Sequence, residues 1–396
     1  MNNKKISIKS AGLIAAAASV VTFSFTTLFS FSICNDSIAE LRNKSKEINR
    51  IYEVQNYINN NYYEDVDNDA ITDAALKGMV SGLDDRYSAY MTPEEYEADI
   101  EDSKGSVSGI GITVTESENG TLKVIEVNPN SPAESAGILI NDIIIKINGN
   151  DISKMEYSDA VNLVRGEPET EVNLTIMRNE TEKEFTMLRE QIDTITVTHK
   201  MLENNIAYIR IKGFKENTVS QYKEALDNSI KSGAKAIIFD LRNNGGGLLT
   251  TCESCLDPLL PEGDVATALF KNGKNEVICR SDKNELNLPM AVLVNENTAS
   301  ASELFSSALR DFDKAVLVGK NTFGKGIMQN TVDLDGGGGL RITVAAYKTA
   351  KSDCYHGIGL KPEYEIDLPE KYLNVDFEEI PDGEDSQLMK ALEVLK

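Results

Sequence analysis

The sequence predicts an α/β fold of mixed α+β character, and three changes of pattern along the chain predict it. Apolar residues recur at helical spacing up to about residue 100, alternate with a period of two from about Gly105, and after Gln191 form short apolar strands separated by helical stretches. At 396 residues and 41% hydrophobic, the chain is sized for two or three domains at roughly 100–200 residues each. Charged residues at 26% and aromatics at 7% exclude a wholly disordered, collagen-like or multi-span membrane protein. Forty Lys+Arg against 63 Asp+Glu give a net charge of −23, which argues against a nucleic-acid partner, since phosphate binding needs clustered cations.

Residues 1–35 open with Lys4, Lys5 and Lys9, followed by an uncharged run from Ala11 to Cys34. This reads as a transmembrane anchor or signal segment, with an uncleaved anchor favoured because no small-x-small cleavage site follows. The lysines on its N-terminal side place the rest of the chain outside the cytoplasm by the positive-inside rule, or secreted if the segment is cut. Bulky Ile33 before Cys34 argues against a lipid anchor.

Residues 36–96 form a helical region. Ile38, Leu41, Ile48, Ile51 and Ile58 lie at near-helical spacing and predict one amphipathic helix over 37–62 that packs on a partner helix or on the body. A second helical pattern over 70–100 is broken at Gly82-Leu83-Asp84-Asp85 and resumes after Thr92-Pro93-Glu94-Glu95, an N-cap followed by proline at the first helical position.

Residues 97–190 read as a self-contained β-rich module with two short helices. Ile110, Ile112 and Val114 face Leu122, Val124 and Val127 across Asn119-Gly120 as a hairpin. Ser131-Pro132-Ala133-Glu134 starts a helix, Ile138–Ile147 is a strand, Tyr157–Val164 a helix and Glu171–Met177 a strand. Residues 191–375 form the α/β core, with strands at Ala207–Ile211, Ala236–Phe239, Ala291–Val294 and Ala315–Val318, helices between them, and a later strand over Leu340–Ala346. Gly336–Gly339 reads as a turn, and Leu388, Leu392 and Leu395 as a helical tail over 376–396.

Sites in open α/β sheets lie beyond the carboxyl ends of the strands. Three such ends carry chemistry. Asp240 runs into Leu241-Arg242-Asn243-Asn244-Gly245-Gly246-Gly247, where glycines can turn backbone N–H groups to one point. Val294 runs into Asn295–Glu303, which places Ser300 at a strand-to-helix turn as a nucleophile, with Ser302 as a more distal candidate. The third end leads to Thr322-Phe323-Gly324-Lys325-Gly326, where desolvation would lower the lysine pKa, and Gln329 would hold the amine if the stretch is helical. The bland alternatives are an N-cap for Ser300 and a surface lysine for Lys325. Cys252-Glu253-Ser254-Cys255 lacks a second pair, and only His199 and His356 are present, so loop or core cysteines, or one incidental disulfide, are favoured over a metal or redox site; no metal or cofactor is expected.

The run Asn295–Glu303, Phe323-Gly324-Lys325-Gly326 with Gln329, Asp240-Leu241-Arg242-x-Asn244, Leu83–Tyr96 ahead of Gly109-Ile110-Gly111-Ile112, and His356–Pro362 resemble the carboxyl-terminal processing (tail-specific) proteases over residues 40–396. That resemblance implies a crotonase/ClpP-like α/β protease core with an inserted PDZ domain. It implies Ser300 as nucleophile, Lys325 as general base, Gln329 as its positioner, and the N–H groups of Gly246 and Ala301 as the oxyanion hole. It further implies that Gly109–Ile112 captures a substrate's C-terminal carboxylate while Ile112–Thr115 receives the peptide as a strand. Arg165 would couple this domain to the active site, Asp311 matches a carboxylate of some relatives, and the 37–62 helix would build a homodimer. Gly245 departs from the family pattern, where a proline precedes the two glycines.

The expected function is thus a serine endopeptidase acting on proteins with free C-termini. Two readings compete with it: a PDZ scaffold binding tails on an inert core, and a serine hydrolase whose base is His356.

Overall fold

The computed structural model describes residues 46, 48–117, 119–373 and 375–396. The membrane-spanning expectation for Ala11–Cys34 lies outside the described residues, and among these no helix is long and apolar enough to cross a membrane. The chain divides into two compact units, residues 1–75 and 76–396. In the first, residues 48–61 are helical, as the spacing of Ile48, Ile51 and Ile58 predicts, while 37–45 lie outside the described residues. Ile48, Ile51, Tyr52, Val54 and Tyr57 are exposed on this helix. The next helix, Asn68–Ser81, starts where Asp67 Oδ1 accepts the N–H groups of Asp69 and Ala70, each at 3.0 Å.

In the second unit, helix Pro93–Lys104 begins as expected at Thr92, whose hydroxyl accepts from Glu95 N while the Glu95 carboxylate accepts from Thr92 N. The β-rich module is one sheet in the spatial order 112–116, 122–127, 143–147, 171–178, 181–188, all antiparallel, with helices Pro132–Ala136 and Tyr157–Val164 against it. Its own core is Leu122, Val124, Ile144, Ile147, Val172, Leu174 and Ile176, the inward residues of its strands, spaced by two except where a register shift separates Ile144 from Ile147. Two differences from the sequence reading appear. Ile138 follows the left-handed cap at Gly137 and donates back to Ala133 O, so the strand begins only at Ile143; and Thr181–Leu188 is a strand although its polar residues hide the alternation, paired through a turn at Asn179 and Glu180 with φ of 52° and 61°. Strands Ser106–Gly109 and Glu190–Asp193 pair with each other where the chain enters and leaves the module.

The core holds a sheet ordered 197–202, 206–211, 236–240, 290–294, 315–319, 364–365, whose four central strands run parallel. Alternate residues face opposite sides: Ala207, Ile209, Ile211, Ile237, Phe239 and Val292 pack on helices Thr218–Lys231, Leu249–Leu256 and Ala301–Asp311, while Ile206, Tyr208, Ile238, Ala291 and Leu293 pack under the C-terminal helix Ser386–Val394. Burial on both faces is why these strands read as unbroken apolar runs. A second, antiparallel sheet was only partly legible. It joins Ala89–Met91, Gly263–Phe270 and Ile327–Asp333 to Gly339–Thr349, with Asn275–Ser281 beyond Gly263–Phe270, and of these the sequence marks just 340–346.

Candidate active site

The three strand ends singled out by the sequence converge. Gly245–Gly247, Ser300, Ala301 and Lys325 line one cavity of about 740 Å³, walled on another side by Tyr96, Asp99 and Ile100 of helix Pro93–Lys104. Parallel strands order the loops side by side. Asn295 Oδ1 accepts from Asn243 N at 2.9 Å, Thr298 Oγ1 donates to Leu241 O at 2.8 Å, and Phe323 N donates to Thr298 O at 3.0 Å, so each loop is tied to its neighbour.

Ser300 sits at φ 58°, ψ −119°, a sparsely populated conformation for a residue with a side chain, immediately before helix Ala301–Asp311. Such strain persists only where surrounding bonds over-determine it. Here Ser300 N donates to Glu303 Oε2 at 2.9 Å, Leu304 N donates to Ser300 O at 2.9 Å, and Ala299 N donates to Asn244 O at 3.0 Å. Ala301 N belongs to the first helical turn, whose N–H groups lack intrahelical acceptors and carry the positive end of the helix dipole. Gly246 lies against the serine: a methyl group on it would stand 2.9 Å from Ser300 Cβ and 3.0 Å from Ala301 N. The expectation for its N–H requires correction, because that group donates to Asn244 Oδ1 at 2.9 Å instead of pointing freely into the cavity. The Asn244 amide is itself fixed by donating to Ile211 O at 2.8 Å.

The Lys325 ammonium lies 4.8 Å from the Tyr87 ring centroid. Burial, reinforced by Arg341 and Arg86 and opposed by Asp85 and Glu303, holds it below the ordinary lysine value. Gln329 is not one helical turn from Lys325: Ile327–Asp333 is a β-strand with a register shift at Met328/Gln329, and the Gln329 amide donates to Thr343 Oγ1 at 3.1 Å. It lines the same cavity, reached through the sheet rather than through a helix. Gln329 lies four residues from Lys325, the spacing of one helical turn, but the backbone pairing of 327–333 with 339–346 makes the stretch a strand.

Two residues at the site escaped the sequence reading. Glu303, fully buried, accepts from Ser300 N, Lys325 N, Gly324 N and Thr322 Oγ1. Its signal was present in the S-x-x-E spacing from Ser300. Tyr347, buried, donates to Lys325 O at 3.0 Å and accepts from Tyr355 at 3.0 Å; burial pushes its phenol well above the usual value, so it stays a neutral hydroxyl. Nothing local marked it, since it comes from the second sheet.

The other candidates lie elsewhere. His356 is exposed, edge-on to Tyr87 at 6.4 Å, and lines a neighbouring cavity rather than the one holding Ser300. His199 lines a separate small pocket beside Phe377. Asp311 anchors a loop: its carboxylate accepts from Thr349 Oγ1, Ser352 Oγ and the N–H groups of Lys351 and Ser352. Ser302 is fully buried behind the nucleophile. Cys252, Cys255 and Cys279 are buried free thiols of the core; burial pushes Cys255 and Cys279 up to about 12.

In the module, Ile112–Glu116 is the edge strand of its sheet, and Tyr157 of the facing helix donates its hydroxyl to Val114 O at 2.9 Å. Gly111 at φ 81° leads into it, where a Cβ would stand 2.3 Å from Ser131 Cβ; Gly109 and Ile110 are buried beneath, Ile110 O accepting from Ala133 N at 2.9 Å. Arg165 is exposed at the end of helix Tyr157–Val164. The arginine that ties this part of the module together is Arg189, buried, donating to Leu163 O, Val164 O, Glu171 O and Thr170 Oγ1.

Comparison with known proteins gives the family. Residues 205–366 match the model of peptidase family S41, residues 99–177 that of the PDZ domain, and residues 16–95 that of the activating protease CtpB N-terminal domain. The carboxy-terminal processing protease CtpA of Bacillus subtilis (strain 168) is 35% identical over 370 residues, spanning 92% of this chain and 78% of the relative. A probable CtpA-like serine protease of Staphylococcus aureus (strain COL) is 34% identical over 392 residues, spanning 96% and 76%. A crystal structure assigned to an S41 protease of Bacteroides fragilis shares the fold at 21% identity and a TM-score of 0.51, covering 84% of this chain and 90% of that one. The chain therefore belongs to peptidase family S41 and is a carboxy-terminal processing serine protease carrying a PDZ domain.

Proposed function

We propose that the chain hydrolyses peptide bonds by a serine-lysine mechanism. The observation that carries this reading is that Ser300, on a strained turn, and the half-buried Lys325 line the same cavity. Ser300 Oγ attacks the substrate carbonyl carbon and its proton passes to neutral Lys325 Nζ. The oxyanion so formed lies toward the N-terminus of helix Ala301–Asp311, where Ala301 N donates and the helix dipole favours negative charge. Collapse breaks the C–N bond, Lys325 returns the proton to the leaving amine, and an acyl-enzyme remains. Water, giving a proton to Lys325, then releases the new carboxylate and restores the serine hydroxyl. Gly246 joins the oxyanion hole when Asn244 Oδ1 gives up its N–H. Gln329 positions Lys325 from the strand through its place in the cavity wall.

The module supplies recognition. The Gly109–Ile112 loop takes the substrate's C-terminal carboxylate and the open edge of Ile112–Glu116 pairs with the tail. Tyr157, now on Val114 O, moves aside as the strand forms. Residues 11–34 anchor the chain in the cytoplasmic membrane with the peptidase outside, and the exposed apolar residues of helix 48–61 support a homodimer through that region. Partners are then protein or peptide substrates with free C-termini.

The test is to incubate wild type, Ser300→Ala and Lys325→Ala with a loosely folded protein and identify fragments by mass spectrometry. Fragments from the wild type alone are expected, and cleavage by either folded variant rejects the mechanism. Activity lost in His356→Ala but kept in Lys325→Ala transfers the base to the histidine.

A further inference from the structure

Glu303 has no counterpart in the roles assigned so far, yet it is the most heavily bonded group at the site. It is fully buried at the third position of helix Ala301–Asp311. Four neutral donors reach its two oxygens: Ser300 N at 2.9 Å and Lys325 N at 2.7 Å on Oε2, Gly324 N at 2.7 Å and Thr322 Oγ1 at 2.5 Å on Oε1. A buried carboxylate is costly unless such donors satisfy it, and four bonds fill the lone-pair sites that two oxygens offer. Thr322 extends the network by accepting from Leu360 N at 2.6 Å. One carboxylate oxygen thereby joins the main chain of the nucleophile directly to the main chain of the base.

We infer that Glu303 is a positioning residue for catalysis: its buried carboxylate sets the spacing of Ser300 and Lys325 through their N–H groups and offsets the positive charge that Lys325 acquires on proton transfer. The inference rests on the serine-lysine reading. A neutral acceptor would serve the helix cap as well, but only an acceptor-only, charged group receives four donors and opposes the fields that destabilise the ammonium. The groups facing Lys325 are Arg341 and Arg86, which disfavour its charge, Asp85 and Glu303, which favour it, and the Tyr87 ring. A purely structural role for Glu303 would affect folding and leave the ionisation of Lys325 in place.

The experiment uses the full chain carrying Glu303→Gln, Glu303→Asp, Thr322→Val, Ser300→Ala or Lys325→Ala, with kcat, KM and the pH dependence of kcat/KM measured on one unstructured peptide, and thermal unfolding alongside. In Glu303→Gln the amide turns an NH₂ toward two donors. The expected loss in kcat is about a hundredfold, the order for a misplacement of about 1 Å, with KM little changed. Its activity limb moves to lower pH, because removing a negative charge makes Lys325 lose its proton more easily. Glu303→Asp keeps the charge, so its limb stays where the wild type has it and part of kcat returns.

Wild-type kcat in folded Glu303→Gln overturns the inference, as does a loss of kcat with an unmoved limb. Should Glu303→Gln fail to fold, Thr322→Val decides: one of the four bonds to Glu303 is gone, with the one Thr322 accepts from Leu360 N, and the charge is kept, so a lowered kcat on an unmoved limb with unchanged thermal unfolding supports the role and an unaltered kcat overturns it. Activity in Lys325→Ala brings down the serine-lysine reading itself. Inactive Lys325→Ala beside unimpaired Glu303→Gln brings down the positioning role alone.

Discussion

Arg242 offers the clearest test of what holds the C-terminal segment to the core. Its side chain is 1% exposed and pairs with Asp240, 0% exposed, at 2.6 Å and with Asp385, 2% exposed, at 2.8 Å. It also donates to Gln387 Oε1 at 2.9 Å and lies 4.0 Å from the Phe377 ring centroid. Burial pushes the Asp240 carboxyl up, but the Arg242 charge and its hydrogen bonds, with that of Tyr208, outweigh this and hold it below the usual value. Arg242→Ala leaves two carboxylates buried without their cation, a change that costs about 3–5 kcal/mol. At about 2–4 °C per kcal/mol for a large domain, the melting temperature falls by roughly 6–20 °C.

Two assays follow from the geometry. Limited proteolysis should open the segment 375–385 first, since Arg242 bridges the end of strand Ala236–Asp240 to it, and Leu388 and Ala391 should then leave the sheet face they cover. The pH dependence should change sign. In the wild type the depressed Asp240 contributes stability that is present above its unfolded pKa and lost as pH falls through its folded one. In Arg242→Ala, burial without a cation raises that pKa, so the deficit narrows on acidification. A melting temperature within about 2 °C of wild type at neutral pH, a change expected of a surface substitution, refutes the reasoning.

On the proposed mechanism Lys325 serves as base only when neutral, and since it is held below the ordinary lysine value, kcat/KM should rise with pH and level off before that value is reached. Arg341→Ala removes a charge that disfavours the ammonium, so the limb moves to higher pH; Asp85→Asn moves it lower, and a profile unresponsive to both rejects the electrostatic account. Gly246→Ala places a methyl 2.8 Å from Ala299 O and 2.9 Å from Ser300 Cβ at a φ of 105° that side chains rarely adopt. A kcat loss of about a hundredfold is expected, the order for a misplacement of the nucleophile by about 1 Å, and undiminished turnover in the folded variant refutes a role for this close approach.

Much of the fold was legible because local rules agreed with the tertiary outcome. The capping box at Thr92 and Glu95, the alternation of 122–127, and the apolar runs at 206–211, 236–240 and 290–294 each state their structure within a few residues. The antiparallel sheet is less legible: Gly263–Phe270 and Asn275–Ser281 mix buried and partly buried positions without a regular period and are interrupted by register shifts, so neither strict alternation nor a full apolar run marks them. For Gln329 the spacing from Lys325 would suit a helical turn, but pairing across 14 residues to Thr343 decides its conformation as a strand.

For the site, the sequence by itself determined the chemistry at three strand ends: a serine at a strand-to-helix turn, a lysine between glycines, and a glycine-rich loop. Those depend on residue type and on position relative to strands, both written locally. Only the tertiary structure decided which donors remain available and which groups tune them. That the Gly246 N–H is held by Asn244, that Tyr347 reaches the Lys325 carbonyl, and that Glu303 binds the loops of Ser300 and Lys325 through their backbones are facts of burial and distance. Hydrogen bonds and charges strengthen steeply as water is excluded, so their roles appear only once packing has brought residues from separate sheets and loops together.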